Sequence, residues 1–277
     1  NNFCTYCIIP YARGRVRSMP LEAAVEETKK LAQEGYREIV INGIEISSWG
    51  WEWKNGSRLP QLLLAVCEAA PDVRIRLGSL EPRTIDEEFC TMLSGCKNLC
   101  PHFHLSLQSG SDTVLKRMNR KYDTARYLES VRLLHKHFPN CAVTTDLIVG
   151  FPGETEQEFS DSLSFMQTCR LAAVHVFPYS RRKGTPAASM PDQIEKSEKE
   201  RRAALAGEVA AELHQTFLTQ QIGTEHDVLF EQTENGYFTG HTMNYVKVYC
   251  DAADLRNEIR RVRVTSLFED GVLAELV

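Results

Sequence analysis

The sequence predicts an α/β chain of parallel strands joined by crossover helices, followed by a small all-β domain. Three observations predict it. Short runs rich in β-branched and aromatic residues alternate with helical patterns through the first three-quarters of the chain. Polar residues gather immediately after those runs, at Asn42, Ser79, Glu81, Gln108, Ser109, Tyr179 and Ser180. Past Gly223 the helical patterns stop, and short strands separated by turns take over.

The strands are read in order as Arg37–Gly43, Val73–Ser79, His102–Ser109, Ala142–Gly150 and Ala172–Ser180. Each is bounded by turn residues. The first helix is expected over Leu21–Glu34, where Leu21, Ala24, Val25, Thr28, Leu31 and Ala32 share a face and Gly35 ends it. Leu59–Ala70, Ile85–Leu93, Ala125–His137 and Glu156–Thr168 follow the same rule. A long charged helix runs from Asp192 to about Phe217, with Leu205, Val209, Leu213 and Phe217 at intervals of four. The expected domains are therefore 1–217 and 218–277, the second a partly closed barrel with turns at Asn235-Gly236 and Asp270-Gly271. In the first domain ligands belong at the carboxyl rim of the strands.

Composition sets limits. Of 277 residues, 43% are hydrophobic and 25% charged, as in an ordinary globular protein. No stretch approaches the roughly 18 apolar residues of a membrane span. Nine cysteines is an odd number, and Cys67, Cys90, Cys141 and Cys169 sit singly in apolar patterns. Buried thiols in a reducing cytoplasm fit that usage better than a disulfide framework. The net charge of −5 comes from residues 219–277, where five Lys+Arg face ten Asp+Glu. A global basic signature of nucleic-acid binding is absent, so any such surface is a local patch. Candidate patches are Arg13-Arg15-Arg17, then Lys116, Arg117, Arg120 and Lys121, then Arg181-Arg182-Lys183, then Arg256, Arg260, Arg261 and Arg263. Each also reads as a solvated face.

Cys4 and Cys7 form a CxxC, which by itself is weak. Zinc needs four ligands, and Cys96-x3-Cys100 is a loosely spaced second pair. A thioredoxin-like motif would open a helix, whereas Ile8-Ile9-Pro10 follows here and no helix is expected before Pro20-Leu21. Two plain thiols remain open as a third alternative. His102, His104, His135 and His137 read as one strand pair and one helix end rather than as ligands.

The flanks add a resemblance. NNFCTYCIIPYARG resembles the cluster loop of radical S-adenosylmethionine enzymes, in which three cysteines spaced CxxxCxxC hold a 4Fe–4S cluster. In that pattern the first cysteine falls just before Asn1. The resemblance thus implies a piece of a longer chain, a partial TIM-like (β/α)6 barrel and a first strand lying upstream. CTYCIIPYARGRVRS, HFHLSLQSGSDTVLKRMNRKY, TTDLIVGFPGETEQEF and HVFPYSRRKGTPAA resemble, in order, the signature segments of the methylthiotransferases. The ending resembles a TRAM domain, an OB-like RNA-binding barrel, with YFTGHTMNYVKV as its core. CIIPYARGRVRS looks most like the tRNA enzymes acting on N6-threonylcarbamoyladenosine. Relatives acting on isopentenyladenosine tRNA or on ribosomal protein S12 share most of the rest. Met19 departs from the pattern, where a basic residue is expected.

What the resemblance implies is specific. Cys4 and Cys7 ligate iron, and the iron left open binds S-adenosylmethionine. Tyr6 lies against its adenine. Gly43 and Glu45 belong to a glycine loop near its methionyl group. Ser79, Glu81, Gln108 and Ser109 suit ribose and carboxylate contacts, and Asp146 contacts substrate or cofactor or else makes a core hydrogen bond. Gly150–Glu154 turns near the adenine or is a plain strand-to-helix turn. Arg13, Arg15, Arg17, Arg120, Lys121, Arg181 and Arg260 are assigned to RNA. The reaction implied is radical attack at C2 of the adenosine beside the anticodon, followed by insertion of sulfur and a methyl group. The implied partners are tRNA and an electron donor such as flavodoxin or ferredoxin. A second 4Fe–4S cluster is implied in an N-terminal domain outside this chain.

Overall fold

The computed structural model describes residues 2–252 and 254–277. Two hydrophobic cores organise it. The first is built on five parallel strands, β1 (Glu38–Ile41), β2 (Arg74–Leu77), β3 (His102–His104), β4 (Ala142–Val149) and β5 (Ala173–Pro178). They lie in the order of the sequence. β1 pairs with β2, and β3–β4–β5 form a second ladder. Isolated bridges at Ile75–Leu99 and Leu80–Leu105 join the two. This is an open, partial barrel.

Side chains alternate across the strands. Ile39, Ile75, Phe103, Val143 and Leu147 pack outward into the core beneath the helices. Glu38, Arg76, His102, His104 and Asp146 face a polar lumen.

The helices are α1 (Ile9–Arg13), α2 (Leu21–Gln33), α3 (Leu59–Ala69), α4 (Glu87–Leu93), α5 (Asp112–Arg117), α6 (Thr124–His137), α7 (Glu156–Cys169) and α8 (Lys196–Thr219). Their starts follow from capping. Asp86 accepts the Phe89 N–H before α4, and Asp123 accepts the Arg126 N–H before α6. Thr155 and Glu158 form a reciprocal capping box on α7. The fourth helix therefore begins at Glu87, two residues after the expected Ile85, because Asp86 is its cap. The last long helix starts at Lys196 rather than Asp192, since Asp192 adopts a positive φ of 55°.

The second core belongs to β6 (Glu225–Glu234), β7 (Tyr237–Thr242), β8 (Lys247–Cys250), β9 (Glu258–Phe268) and β10 (Gly271–Leu276). These close completely, in the order β10-β8-β7-β6-β9, because β10 pairs with both β9 and β8. The expected partly closed barrel is corrected on that point. Asn235 and Gly236 turn β6 into β7, both with positive φ as a type I′ turn requires. The other hairpin turns on Glu269-Asp270, one residue earlier than expected, with Glu269 carrying the positive φ.

This small barrel caps the amino end of the strands. Arg74 donates to the carbonyls of Asp227 at 2.7 Å and His241 at 3.1 Å. Arg76 binds both oxygens of Glu38 (2.6 and 2.8 Å) and the Met243 carbonyl (3.0 Å). Tyr245 is stacked between His102 and His241, each 4.7 Å away. No described helix is long and apolar enough to cross a membrane.

Candidate functional site

A cavity of about 770 Å3 opens at the carboxyl rim of β1 and β2. Cys4, Cys7, Gly43, Glu45, Ser79, Glu81 and Arg120 all line it. The chain arrives there through the 2–8 loop, pinned by backbone hydrogen bonds from Thr5 N–H to the Met118 carbonyl (3.0 Å) and from Ala187 N–H to the Thr5 carbonyl (2.9 Å). Val114, Met118, Phe151, Tyr179 and Ala187 form a small apolar cluster against which Tyr6 packs.

Cys4 is buried and Cys7 half-buried. The Arg120 guanidinium donates to Cys4 Sγ at 3.2 Å, to the Tyr122 hydroxyl at 2.9 Å and to the Ser106 carbonyl at 3.4 Å. Its charge also sits 4.8 Å from the centre of the Tyr122 ring. Arg120 makes no ion pair with a carboxylate among the described residues. Arg120 is half-buried, and a cation partly withdrawn from water is costly unless something anionic or polarisable meets it. Here that partner is a sulfur. Burial pushes the Tyr6 phenol well above its ordinary range.

Across the cavity, Glu45 accepts from Asn2 Nδ2 at 3.0 Å, and burial raises its carboxyl pKa. Glu81 is held by Arg83 through both oxygens (2.9 and 3.0 Å), and its backbone N–H donates to Ser47 Oγ at 2.9 Å. Asn42 Oδ1 accepts the Gly43 N–H at 2.8 Å. A Cβ on Gly78 would collide with that same oxygen, so a larger residue there would push the Asn42 side chain off the Gly43 N–H.

Other expected site residues lie elsewhere. Ser109 is fully buried, with its hydroxyl 3.3 Å from Ser162 Oγ on α7, and it serves packing. Gln108 bridges backbone, its N–H donating to the Asp146 carbonyl and its own carbonyl accepting from Ile148, at φ 69°. Asp146 faces the lumen, 3.4 Å from His104 Nε2, in a second cavity of about 590 Å3.

Of the residues assigned to RNA, Arg13, Arg15 and Arg17 are exposed and line the rim cavity. Lys121 is exposed and donates to Asn119 Oδ1 at 2.6 Å. Arg181 Nε is spent on the Ala188 carbonyl at 2.7 Å. Arg260 pairs with Glu258 at 3.0 Å. Arg120 points inward, to Cys4.

Sequence reasoning missed Arg74 and Arg76. Arginines at alternate positions of a buried strand, VRIRLGS, were the signal, since both must face the lumen.

The donor set can be tested for an iron–sulfur group. Two thiols on one cavity wall, with a charged N–H donor on one of them, suit soft-metal ligation. They fit as two ligands of such a cluster. No group of three or more His, Cys, Asp or Glu is placed to hold a metal ion among the described residues.

Known proteins match the chain in sequence and in fold. Residues 1–166 match the Radical SAM superfamily. The chain is 39% identical over 272 residues to threonylcarbamoyladenosine tRNA methylthiotransferase of Bacillus subtilis, covering 95% of this chain and 60% of that protein. It is 38% identical to the protein of that name in Thermotoga maritima, covering 99% and 63%. It is 37% identical to tRNA-2-methylthio-N(6)-dimethylallyladenosine synthase of Acetivibrio thermocellus, covering 96% and 56%. The chain thus spans about three-fifths of the length of these relatives. Among solved structures, coproporphyrinogen III oxidase from Escherichia coli superposes with a TM-score of 0.53 at 13% identity, covering 94% of this chain and 61% of that one. Methylornithine synthase gives 0.53 at 16% identity, covering 76% and 59%. Both share the fold. With its paired cysteines on the rim of a parallel barrel, the chain belongs to the Radical SAM superfamily.

Proposed function

We propose that this chain is the core of a tRNA methylthiotransferase that modifies C2 of N6-threonylcarbamoyladenosine beside the anticodon. The observation that carries the reading is the convergence of Cys4, Cys7 and Glu45 on one rim cavity, in a chain 39% identical to a protein named for that reaction. Cys4 and Cys7 would hold two irons of a 4Fe–4S cluster and a third thiolate another, leaving one iron for S-adenosylmethionine. When bound, the cluster and S-adenosylmethionine supply a carbon radical able to take hydrogen from an unactivated C–H bond.

The chain's own residues bind and orient. Glu45 and the Asn42–Gly43 turn face the amino-acid end of the cofactor. Ser79 and Glu81 suit its ribose hydroxyls. Tyr6 lines the cavity and is backed by the buried Phe151, 6.4 Å away edge to face. Domain 1–217 does the chemistry, and 218–277 is a TRAM-type RNA-binding barrel. A second cluster in an N-terminal domain outside this chain takes part in sulfur supply, and a flavodoxin or ferredoxin gives the electron. The reaction takes place in the cytoplasm, where the tRNA is.

Identity of 37% to a dimethylallyladenosine synthase supports a second reading, methylthiolation of that base. Mass spectrometry of tRNA nucleosides from cells lacking the gene separates the two. The expected result is loss of the methylthio group from threonylcarbamoyladenosine with the dimethylallyl series intact. The reverse pattern overturns the substrate assignment. Restoration by a Cys4→Ala copy overturns the cluster assignment.

A further inference from the structure

We propose that Tyr11, braced by Phe3, is a stacking platform for an unpaired nucleobase beside the mouth of the rim cavity, with Arg13, Arg15 and Arg17 on the adjoining phosphates. The inference rests on the RNA-modifying reading and adds where a neighbour of the target base sits.

Tyr11 is 61% exposed and Phe3 46% exposed. Their rings meet edge to face, 5.8 Å apart with planes at 76°. A lone exposed aromatic needs no explanation. Two in contact, one on helix α1 and one on the loop before it, do. Phe3 sits at φ 45°, and Asn119 Nδ2 donates to its carbonyl at 2.9 Å. The brace is therefore fixed.

The charges around it differ from those on the small barrel. There, Arg260, Arg261 and Arg263 each reach a carboxylate of Glu258, Glu225 or Asp227. Arg13, Arg15 and Arg17 are exposed and form no ion pair among the described residues. All three line the cavity that holds Cys4 and Cys7. Three unneutralised cations beside an exposed ring suit a single-stranded polyanion, whose bases stack on aromatic faces while arginines follow the phosphates. A base that must leave its loop to reach a buried site exposes the faces of its neighbours. Tyr11 offers one of them a surface.

The test is a fluorescence-anisotropy titration of the chain with a labelled anticodon stem–loop RNA. Two further RNAs carry an abasic site on the 5′ or the 3′ side of the target adenosine. Tyr11→Ala is expected to weaken binding to the intact RNA about tenfold. That effect should vanish on one abasic RNA, and Tyr11→Phe should keep wild-type affinity. Arg15→Gln should lower the slope of log affinity against log salt by about 1 on every RNA, while Tyr11→Ala leaves the slope unchanged. Circular dichroism confirms that each variant folds. Equal affinity of Tyr11→Ala and wild type overturns the platform, as does equal weakening on all three RNAs. Failure of the unsubstituted chain to bind any of them overturns the RNA-modifying reading as well.

Discussion

Arginine stands at both ends of the parallel barrel, buried at one and half-buried at the other, and the ends treat it differently. At the amino end Arg76 meets Glu38 through two hydrogen bonds and spends its remaining donors on backbone carbonyls of the small barrel. Arg74 is likewise consumed by carbonyls. At the carboxyl rim Arg120 has no carboxylate; it leans on a thiol, a phenol and a carbonyl. At the amino end both arginines are matched within the chain, although the lumen cavity lies beside Arg76. The rim holds a positive charge beside a cavity, with room for a group that the chain does not supply. A binding site differs from an interface in just this way: its electrostatics are completed by something else.

Removing one partner from the amino end should cost most. Glu38→Ala leaves Arg76 buried and unpaired, and is expected to lower stability by about 3–5 kcal/mol in urea unfolding. Arg120→Leu should cost less, about 2 kcal/mol, because Tyr122 still donates to the Leu107 carbonyl at 2.9 Å and a thiol tolerates losing a donor. If the rim variant costs as much as the interface variant, the contrast fails and Arg120 is plain scaffolding.

Acid should also separate the ends. Burial holds the His102 imidazole at a pKa of about 3, against an ordinary 6.5. The unfolded chain therefore binds the proton first, so the group's contribution is complete above pH 6.5 and is lost as pH falls toward 3. By pH 5 the loss should be about 2 kcal/mol, since each tenfold rise in proton concentration below pH 6.5 costs about 1.4 kcal/mol. In His102→Gln that acid-side slope should flatten; an unchanged slope would place the sensitive group elsewhere.

Much of this was legible in the sequence, for identifiable reasons. The five parallel strands declared themselves as short apolar runs, whereas the caps Asp86, Asp123 and Thr155 were not read, and the helix expected from Ile85 starts two residues later. Helices α1 and α5 were not foreseen, because five and six residues are too few to establish a period, and α1 corrects the expectation that no helix precedes Pro20-Leu21. Cys4 and Cys7 were legible because spacing survives in one dimension. Arg120 was not. It reads as one basic residue in a charged run, and its partner lies 116 positions away. Ser109 shows the converse error: a polar residue after a strand points to the rim by rule, yet its hydroxyl turned to α7. The closure of the small barrel depended on the pairing of β10 with β8, which no local pattern records.

The long helix α8 has a mechanical consequence. Its 24 residues form a continuous rod of about 36 Å. His214 anchors it to the Ala172 carbonyl at 2.9 Å just before β5, and Leu218 at its far end lies in the core of the small barrel. The two attachments are one turn apart, at the carboxyl end of the rod. That short stretch works as a rivet: one helical turn is clamped to the parallel strands and to the small barrel at once, so neither can swing without unwinding it.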